Sequence, residues 1–228
     1  MSDKPSAISV IIPTLNEAPV LAETLRRARQ PGVEIIVVDG GSDDGTVEVA
    51  RPLADAVIGS GRGRAVQMNA GALRASSDLL LFLHADTHLP PDFAAIVIEA
   101  CSRAVVGGRF DVELQPSSFL LWLTGELINR RSRLTRVATG DQAIFIRREV
   151  FARLGGYAEI PLMEDLDLSR RMKRAGEIAC LRDRVTTSSR RWREDGTIRT
   201  ILLMWTLRGL YYAGVSPARL HSLYRNTR

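Results

Sequence analysis

Short β-branched runs alternate with stretches of helical spacing through the first half of the chain, a pattern that predicts a parallel sheet with crossover helices. Ile8 to Ile12 reads as a buried strand stopped by Pro13. Pro19 falls where a first helical turn tolerates proline, and Leu21, Leu25 and Ala28 then repeat at helical spacing until Pro31-Gly32. Glu34 to Val38 is the next expected strand, followed by a polar turn from Asp39 to Gly45 and a helix to about Ala50. Ala56 to Ile58 and Leu79 to Leu83 read as strands, with helices at Arg64 to Ala75 and Pro90 to Arg103.

The second half is less regular. Strands are expected at Val105 to Glu113 (irregular at Gly107-Gly108), Ala143 to Arg147 and Ile178 to Leu181, and helices at Phe119 to Arg131, Glu164 to Ala175 and Thr197 to Ala213. The stripe Leu120, Leu121, Leu123 and Leu127 reads first as core. So do Leu202, Trp205 and Leu210 with Tyr211 and Tyr212, an interfacial membrane face being the alternative for that last helix. No repeat or low-complexity linker divides the 228 residues, which are read as a single mostly parallel α/β domain.

Composition narrows the function classes. The 31 basic residues outnumber the 26 acidic ones, and only Lys4 and Lys173 are lysines. Guanidinium forks bind phosphates bidentately, so anionic ligands are favoured; a compositional habit of the genome is the plainer account. The arginines are dispersed and aromatics are 6%, which argues against a nucleic-acid partner. Cys101 and Cys180 form no metal or disulfide motif and suit a reducing cytoplasm. The chain opens on no charged-then-apolar leader, and Arg199 and Arg208 interrupt its longest apolar stretch. Cytoplasmic placement is therefore expected, with peripheral membrane contact left open. Nothing sets an oligomeric state.

Ligands of open parallel sheets bind beyond the carboxyl ends of the strands. Three polar clusters fall there: Pro13-Thr14-Leu15-Asn16-Glu17, Asp39-Gly40-Gly41-Ser42, and His84-Ala85-Asp86-Thr87-His88. Asp39 alone is equally an Asx-turn or cap residue, but three such clusters can face one crevice. The run Gly59 to Arg64 opens a helix with GxGxG spacing, which is neither the dinucleotide fingerprint nor a P-loop.

The series IPTLNEA, IIVVDGGSDDGT, GRGRAVQMNAGA, LLFLHADTHLP and PLMEDLDLSRRM resembles the family 2 glycosyltransferases of GT-A, Rossmann-like fold. It is most similar to a small bacterial subgroup associated with radical-SAM genes and arsenosugar-type biosynthesis. The likeness runs from about Ile8 to Trp192. It implies a nucleotide-sugar half over residues 1–110 and an acceptor half over 111–228. By this resemblance Pro13, Thr14, Leu15 and Glu17 cradle the nucleoside, and Asp39 accepts the uracil imide N–H. Gly41, Ala85 and Arg64 complete the nucleotide side, Arg64 toward the ribose or diphosphate.

The family's Asp-x-Asp is His84-Ala85-Asp86 here. Asp86 matches the usual ligand for a divalent metal, Mn²⁺ or Mg²⁺, bridging the diphosphate. His84 and His88 flank it at alternate spacing, and an imidazole suits Mn²⁺ better than Mg²⁺. A hydrogen-bonded His84 and a solvated His88 are the plain readings. Asp165 matches the family's general base, with Glu164 orienting the acceptor; a carboxylate pair opening a helix is otherwise a dipole partner. Gly140, Asp141 and Gln142 resemble the acceptor-side loop. Arg191 and Trp192 match part of the QxxRW element, where Ser188 replaces the glutamine and puts processivity in doubt.

The function expected is inverting transfer from a nucleotide-sugar donor to a small-molecule or lipid-like acceptor. A sugar nucleotidyltransferase would want a catalytic lysine in the first half, where only Lys4 stands. A non-catalytic nucleotide-sugar binding protein would have no need of the Glu164-Asp165 pair.

Overall fold

The computed structural model describes residues 7–190 and 196–226. Four parallel strands, β1 (Ile8–Thr14), β2 (Val33–Asp39), β3 (Ala56–Gly59) and β4 (Leu79–Phe82), lie side by side in the order β3-β2-β1-β4. The sheet continues past β4 through β7 (Phe145–Arg147), β6 (Val105–Gln115), β8 (Glu177–Ser188) and the short β5 (Thr87–His88). Pairing is antiparallel at β4–β7, β7–β6 and β5–β8, and parallel at β6–β8. The parallel order expected of the first half holds there, and beyond β4 the sheet is mixed.

Strand alternation sorts the core into two layers. Ile8, Val10, Ile12, Ile35, Val37 and Leu81 pack with α1 (Ala18–Ala28), α2 (Thr46–Ala50) and α4 (Phe93–Ser102). Ile11, Ile36, Val38, Leu80 and Phe82 face α3 (Arg64–Arg74), α6 (Arg148–Arg153) and α7 (Glu164–Ala175). A smaller apolar cluster ties α7 to α8 (Thr197–Tyr212) and α9 (Pro217–Asn226) through Leu166, Leu207 and Leu220.

Several boundaries differ from the sequence reading for local reasons. β1 passes through Pro13 to Thr14, because β4 pairs only as far as Ile11 and the missing N–H costs no ladder bond on that side. β6 shifts register between Val105 and Gly107, where it is squeezed between β7 and β8. A Cβ at Gly107 would collide with the Phe145 carbonyl, and one at Gly108 with that of Ala179. β8 runs seven residues beyond the expected Leu181 because its pairing with β6 extends to Ser188. α6, α9 and β5 had too few periodic positions to be seen.

The α5 helix (Phe119–Thr135) overturns the leucine-stripe expectation. Leu121 is buried, but Leu123 and Leu127 face outward, and the face packed on β6 is instead polar: Thr124, Asn129 and Ser132. Asn129 clasps the backbone of Val112, its Nδ2 donating to the carbonyl at 3.0 Å and its Oδ1 accepting the N–H at 2.8 Å. That pair of bonds rotates the leucines away from the sheet. On α8, Leu202 and Trp205 are likewise exposed rather than core, and Leu207 is buried. No helix among the described residues is long and apolar enough to cross a membrane.

Beneath Asn129 lies a buried ion cluster that the sequence did not announce. Asp111 accepts from Arg109 and, at 2.6 Å, from Arg133 Nη1; Arg109 and Asp111 are 1% and 2% exposed. Removing one partner of such a cluster strands a buried charge, at about 3–5 kcal/mol. Asp111→Ala should lose about that much in urea unfolding, while Arg109→Met/Asp111→Leu together should lose less. A loss under about 1 kcal/mol for the single variant would show the cluster to be dispensable.

Candidate active site

The carboxyl ends of β1, β2 and β3 place Thr14, Asp39 and Gly59 in one row. Asp39 terminates β2 and binds the turn after it. Its Oδ2 accepts the Gly41 and Ser42 N–H groups, both at 2.9 Å, and its Oδ1 accepts the hydroxyls of Ser42 at 2.5 Å and Thr14 at 3.3 Å. Burial pushes the Asp39 carboxyl up, but these bonds outweigh it and hold the group below its ordinary value. All four lone-pair positions are in use, so a ligand N–H must replace one of the two hydroxyls.

The loop Leu15-Asn16-Glu17 is laced to the β2–α2 turn. Asn16 exchanges bonds with Ser42 and Asp43, Glu17 N–H donates to Thr46, and Asp44 caps both Ala18 and Thr46. Gln67 of α3, unremarked in the sequence, locks this wall from below: its Nε2 donates to the Thr14 carbonyl at 2.7 Å and the Val38 carbonyl at 2.8 Å. Asp39 also borders a hollow of about 460 Å³ running along β3 beside Arg51 and Asp55. That volume suits a small-molecule ligand.

The second group of candidates meets at the start of α7. Asp165 Oδ2 accepts the Gly140 N–H at 2.6 Å and its Oδ1 accepts the Leu166 N–H at 2.7 Å. Glu164 is buried beside it. Both carboxyls are raised, first by burial: Glu164 to about 7, with Asp165 adding and Arg64 opposing, and Asp165 in the same direction against its two backbone donors. Met163, directly before the pair, has a left-handed φ of 72° that a side chain rarely adopts, so the surrounding structure imposes this helix start.

A cavity of about 10 Å³, room for one water, is lined by Arg64, Phe82, His84, Tyr157, Glu164 and Asp165. Tyr157 is fixed there by Asn69, whose amide bonds its backbone N–H and carbonyl at 2.9 Å each. Gly140 sits against the cavity wall: a Cβ there would approach His84 Nε2 to 2.9 Å. Gln142 turns away, its amide bonding Ser132 and Thr139, while Oδ1 of Asp141 is buried without a partner among the described residues.

The segment from His84 to His88 bends. The Thr87 N–H donates to the His84 carbonyl at 3.1 Å and turns the chain at Ala85-Asp86, while the Ala85 carbonyl accepts from Thr24. His84 therefore joins the acid pair, Asp86 stays partly exposed at the turn, and His88 lies within electrostatic reach of Asp86 and of Glu23 and Arg27 on α1. Burial and Arg27 hold His88 below its ordinary value. Among the described residues no group of three or more His, Cys, Asp or Glu side chains forms a metal cage. One accessible carboxylate still fits a cation that completes its sphere with substrate phosphates and water. Arg191 and Trp192 lie outside the described residues.

Residues 9–155 match the family described as "Glycosyl transferase family 2". A relative from Pseudomonas aeruginosa, an undecaprenyl-phosphate 4-deoxy-4-formamido-L-arabinose transferase, is 29% identical over 61% of this chain and 46% of its own length. The chain thus spans about half the length of that curated relative. Among solved structures, the mannosyltransferase PcManGT from Pyrobaculum calidifontis, in complex with GDP-Man and Mn²⁺, superposes with TM-score 0.63 at 22% identity, over 81% of this chain and 57% of that one. Staphylococcus aureus TarS 1–349, in complex with UDP-GlcNAc, does so with TM-score 0.57 at 17% identity, over 81% and 59%. The architecture is the expected GT-A fold, and with its match running from β1 past α6, this chain belongs to glycosyl transferase family 2.

Proposed function

We propose that the protein transfers a sugar from a nucleotide-sugar donor, a UDP-sugar as the first choice, to a small-molecule or lipid-like acceptor by one inverting displacement. The observation behind this reading is Asp165: a partly buried carboxylate with both oxygens aimed by backbone N–H groups into a cleft shared with Glu164, His84 and Arg64. Two further lone pairs remain for an acceptor hydroxyl. Its raised proton affinity makes it a stronger base, and a positioned base contributes about 10²–10⁴ in rate. The acceptor oxygen would lose its proton to Asp165 as it bonds to the anomeric carbon, and the bond to the departing nucleoside diphosphate would break on the opposite face.

Asp39 and the β1–α1 loop supply the nucleoside side of this reading, and Arg64, opening α3 beside the acids, supplies positive charge between donor and base. Asp86 is the residue that would hold Mn²⁺ or Mg²⁺, whose chemistry is charge stabilisation on the diphosphate. The Mn²⁺ and GDP-mannose bound by the Pyrobaculum enzyme and the UDP-GlcNAc bound by TarS support the same donor class. The radical-SAM-associated subgroup, cytoplasmic placement and peripheral membrane contact belong to this proposal too. Exposed Trp122, Leu202 and Trp205 on α5 and α8 favour the last of these.

Incubation with a panel of sugar nucleotides should give slow nucleoside diphosphate release from one donor, stopped by EDTA and restored by Mn²⁺ in the parent but not in Asp86→Ala. Tight donor binding without turnover under any acceptor would sink the enzymatic reading. Asp165→Asn should cut transfer by about 10²–10⁴ with donor affinity nearly unchanged; a large loss of affinity contradicts its role. Glu164 binds its proton more tightly folded than unfolded, so its stabilisation is complete below about 4.5 and is lost as pH rises toward about 7. Glu164→Gln should therefore flatten the melting midpoint between pH 5 and about 8 and raise it at the upper end. Parallel pH curves for parent and variant would contradict the raised value.

A further inference from the structure

Two arginines on neighbouring helices lie within electrostatic reach of each other, with no acid bonded to either buried edge among the described residues. Arg131 belongs to α5 and Arg208 to α8, and these helices pack on each other. Nε and Nη2 of Arg131 and Nε of Arg208 are shielded from water and have no hydrogen-bond partner among the described residues. Other arginines of this protein meet carboxylates: Arg109 and Arg133 on Asp111, Arg29 on Asp55, Arg184 on Glu126. A buried, unpaired guanidinium edge is unusual enough to call for an explanation.

The surroundings supply one. Burial first, and the neighbouring Arg208 second, bring Arg131 down to about 10, while Asp141, Tyr212 and Asp165 act the other way. Arg131 is thus within electrostatic reach of Asp165, and among the described residues neither carboxylate forms a hydrogen bond or ion pair with its buried edge. Like charges in a poorly solvated recess repel strongly, and an anion between them reverses the sign of that interaction. Arginine forks match phosphate geometry in particular. The unpartnered Oδ1 of Asp141 beside Gly140 can accept a hydroxyl of the same ligand.

We propose that Arg131 and Arg208 form an oxyanion subsite on the acceptor side, holding the phosphate group of an acceptor whose hydroxyl reaches Asp165. This rests on the glycosyl-transfer reading of the cleft and adds the class of acceptor to it. A soluble phosphate monoester and a phosphate-bearing lipid headgroup share the required chemistry. The lipid source would also use Trp205, one turn before Arg208 and 63% exposed.

The experiment measures binding, not turnover. With the protein saturated by UDP and Mn²⁺, glycerol 3-phosphate is titrated calorimetrically, and flotation is scored on phosphatidylcholine vesicles with and without phosphatidic acid. Arg131→Gln and Arg208→Gln should each weaken phosphate binding about tenfold or more, with UDP affinity unchanged; Arg26→Gln, an exposed charge on α1, should bind like the parent. Glycerol 3-phosphate binding supports the soluble source, and flotation only with phosphatidic acid supports the lipid source. Both glutamine variants should melt no lower than the parent, since each removes an unpaired charge; a variant that fails to fold overturns the idea that the guanidinium awaits a ligand. The proposal also falls if neither probe binds, if the two variants bind like Arg26→Gln, or if UDP displaces the phosphate, which would assign the arginines to the donor. Failure of UDP itself to bind the parent would count instead against the glycosyl-transfer reading.

Discussion

The bond from the Gly140 N–H to Asp165 Oδ2, 2.6 Å long, holds the acid end of the cleft together. It ties the turn before β7 to the start of α7, and it requires the bare backbone of Gly140 to slide under His84. Once this bond forms, the carboxylate is aimed and the imidazole of His84 is confined. The wall carrying Tyr157 then closes over a space for a single water. The left-handed Met163 and the raised proton affinity of Glu164 are consequences of pressing two acids into that space.

The wall at the carboxyl ends of β1 and β2 is organised by a different device, hydrogen bonds running between adjacent loops. Asp39, Asn16, Asp44 and Gln67 satisfy backbone groups that strand ends would otherwise leave unpaired. A wall built this way is rigid before a ligand arrives, which lowers the ordering required on binding. The packing of α5 on α8 contrasts with it. There, guanidinium edges of Arg131 and Arg208 are buried without a hydrogen-bond partner among the described residues.

Much of the fold followed from periodicity and turn chemistry. The alternating buried runs at Ile8, Ile35 and Leu79, the proline at the start of α1 and the acid pair opening α7 are local features, and local features are written in adjacent residues. The order of motifs along the chain likewise sufficed to suggest the family. What failed were inferences that needed to know a neighbour. The α5 leucines read as core because spacing alone cannot reveal that Asn129 will claim the sheet-facing side through Val112. The His84–Thr87 turn is equally invisible in the spacing: it sends His84 toward the acid pair and leaves His88 within electrostatic reach of Asp86.

The sequence by itself determined the strand and helix types, the clusters at the strand ends and the identity of the candidate acids, since each depends on residues a few positions apart. Only the tertiary structure decided that Gln67 braces Thr14, that Arg109 is buried on Asp111, and that Arg131 comes within electrostatic reach of Arg208 and Asp165. Such pairings span distant parts of the chain, and whether a charge is matched or left open depends on which surfaces the core brings together. The acids Asp39, Asp86 and Asp165 were legible as a set. Their separation into a fully bonded anchor, a partly exposed turn carboxylate and a partly buried, aimed one was a property of the folded chain.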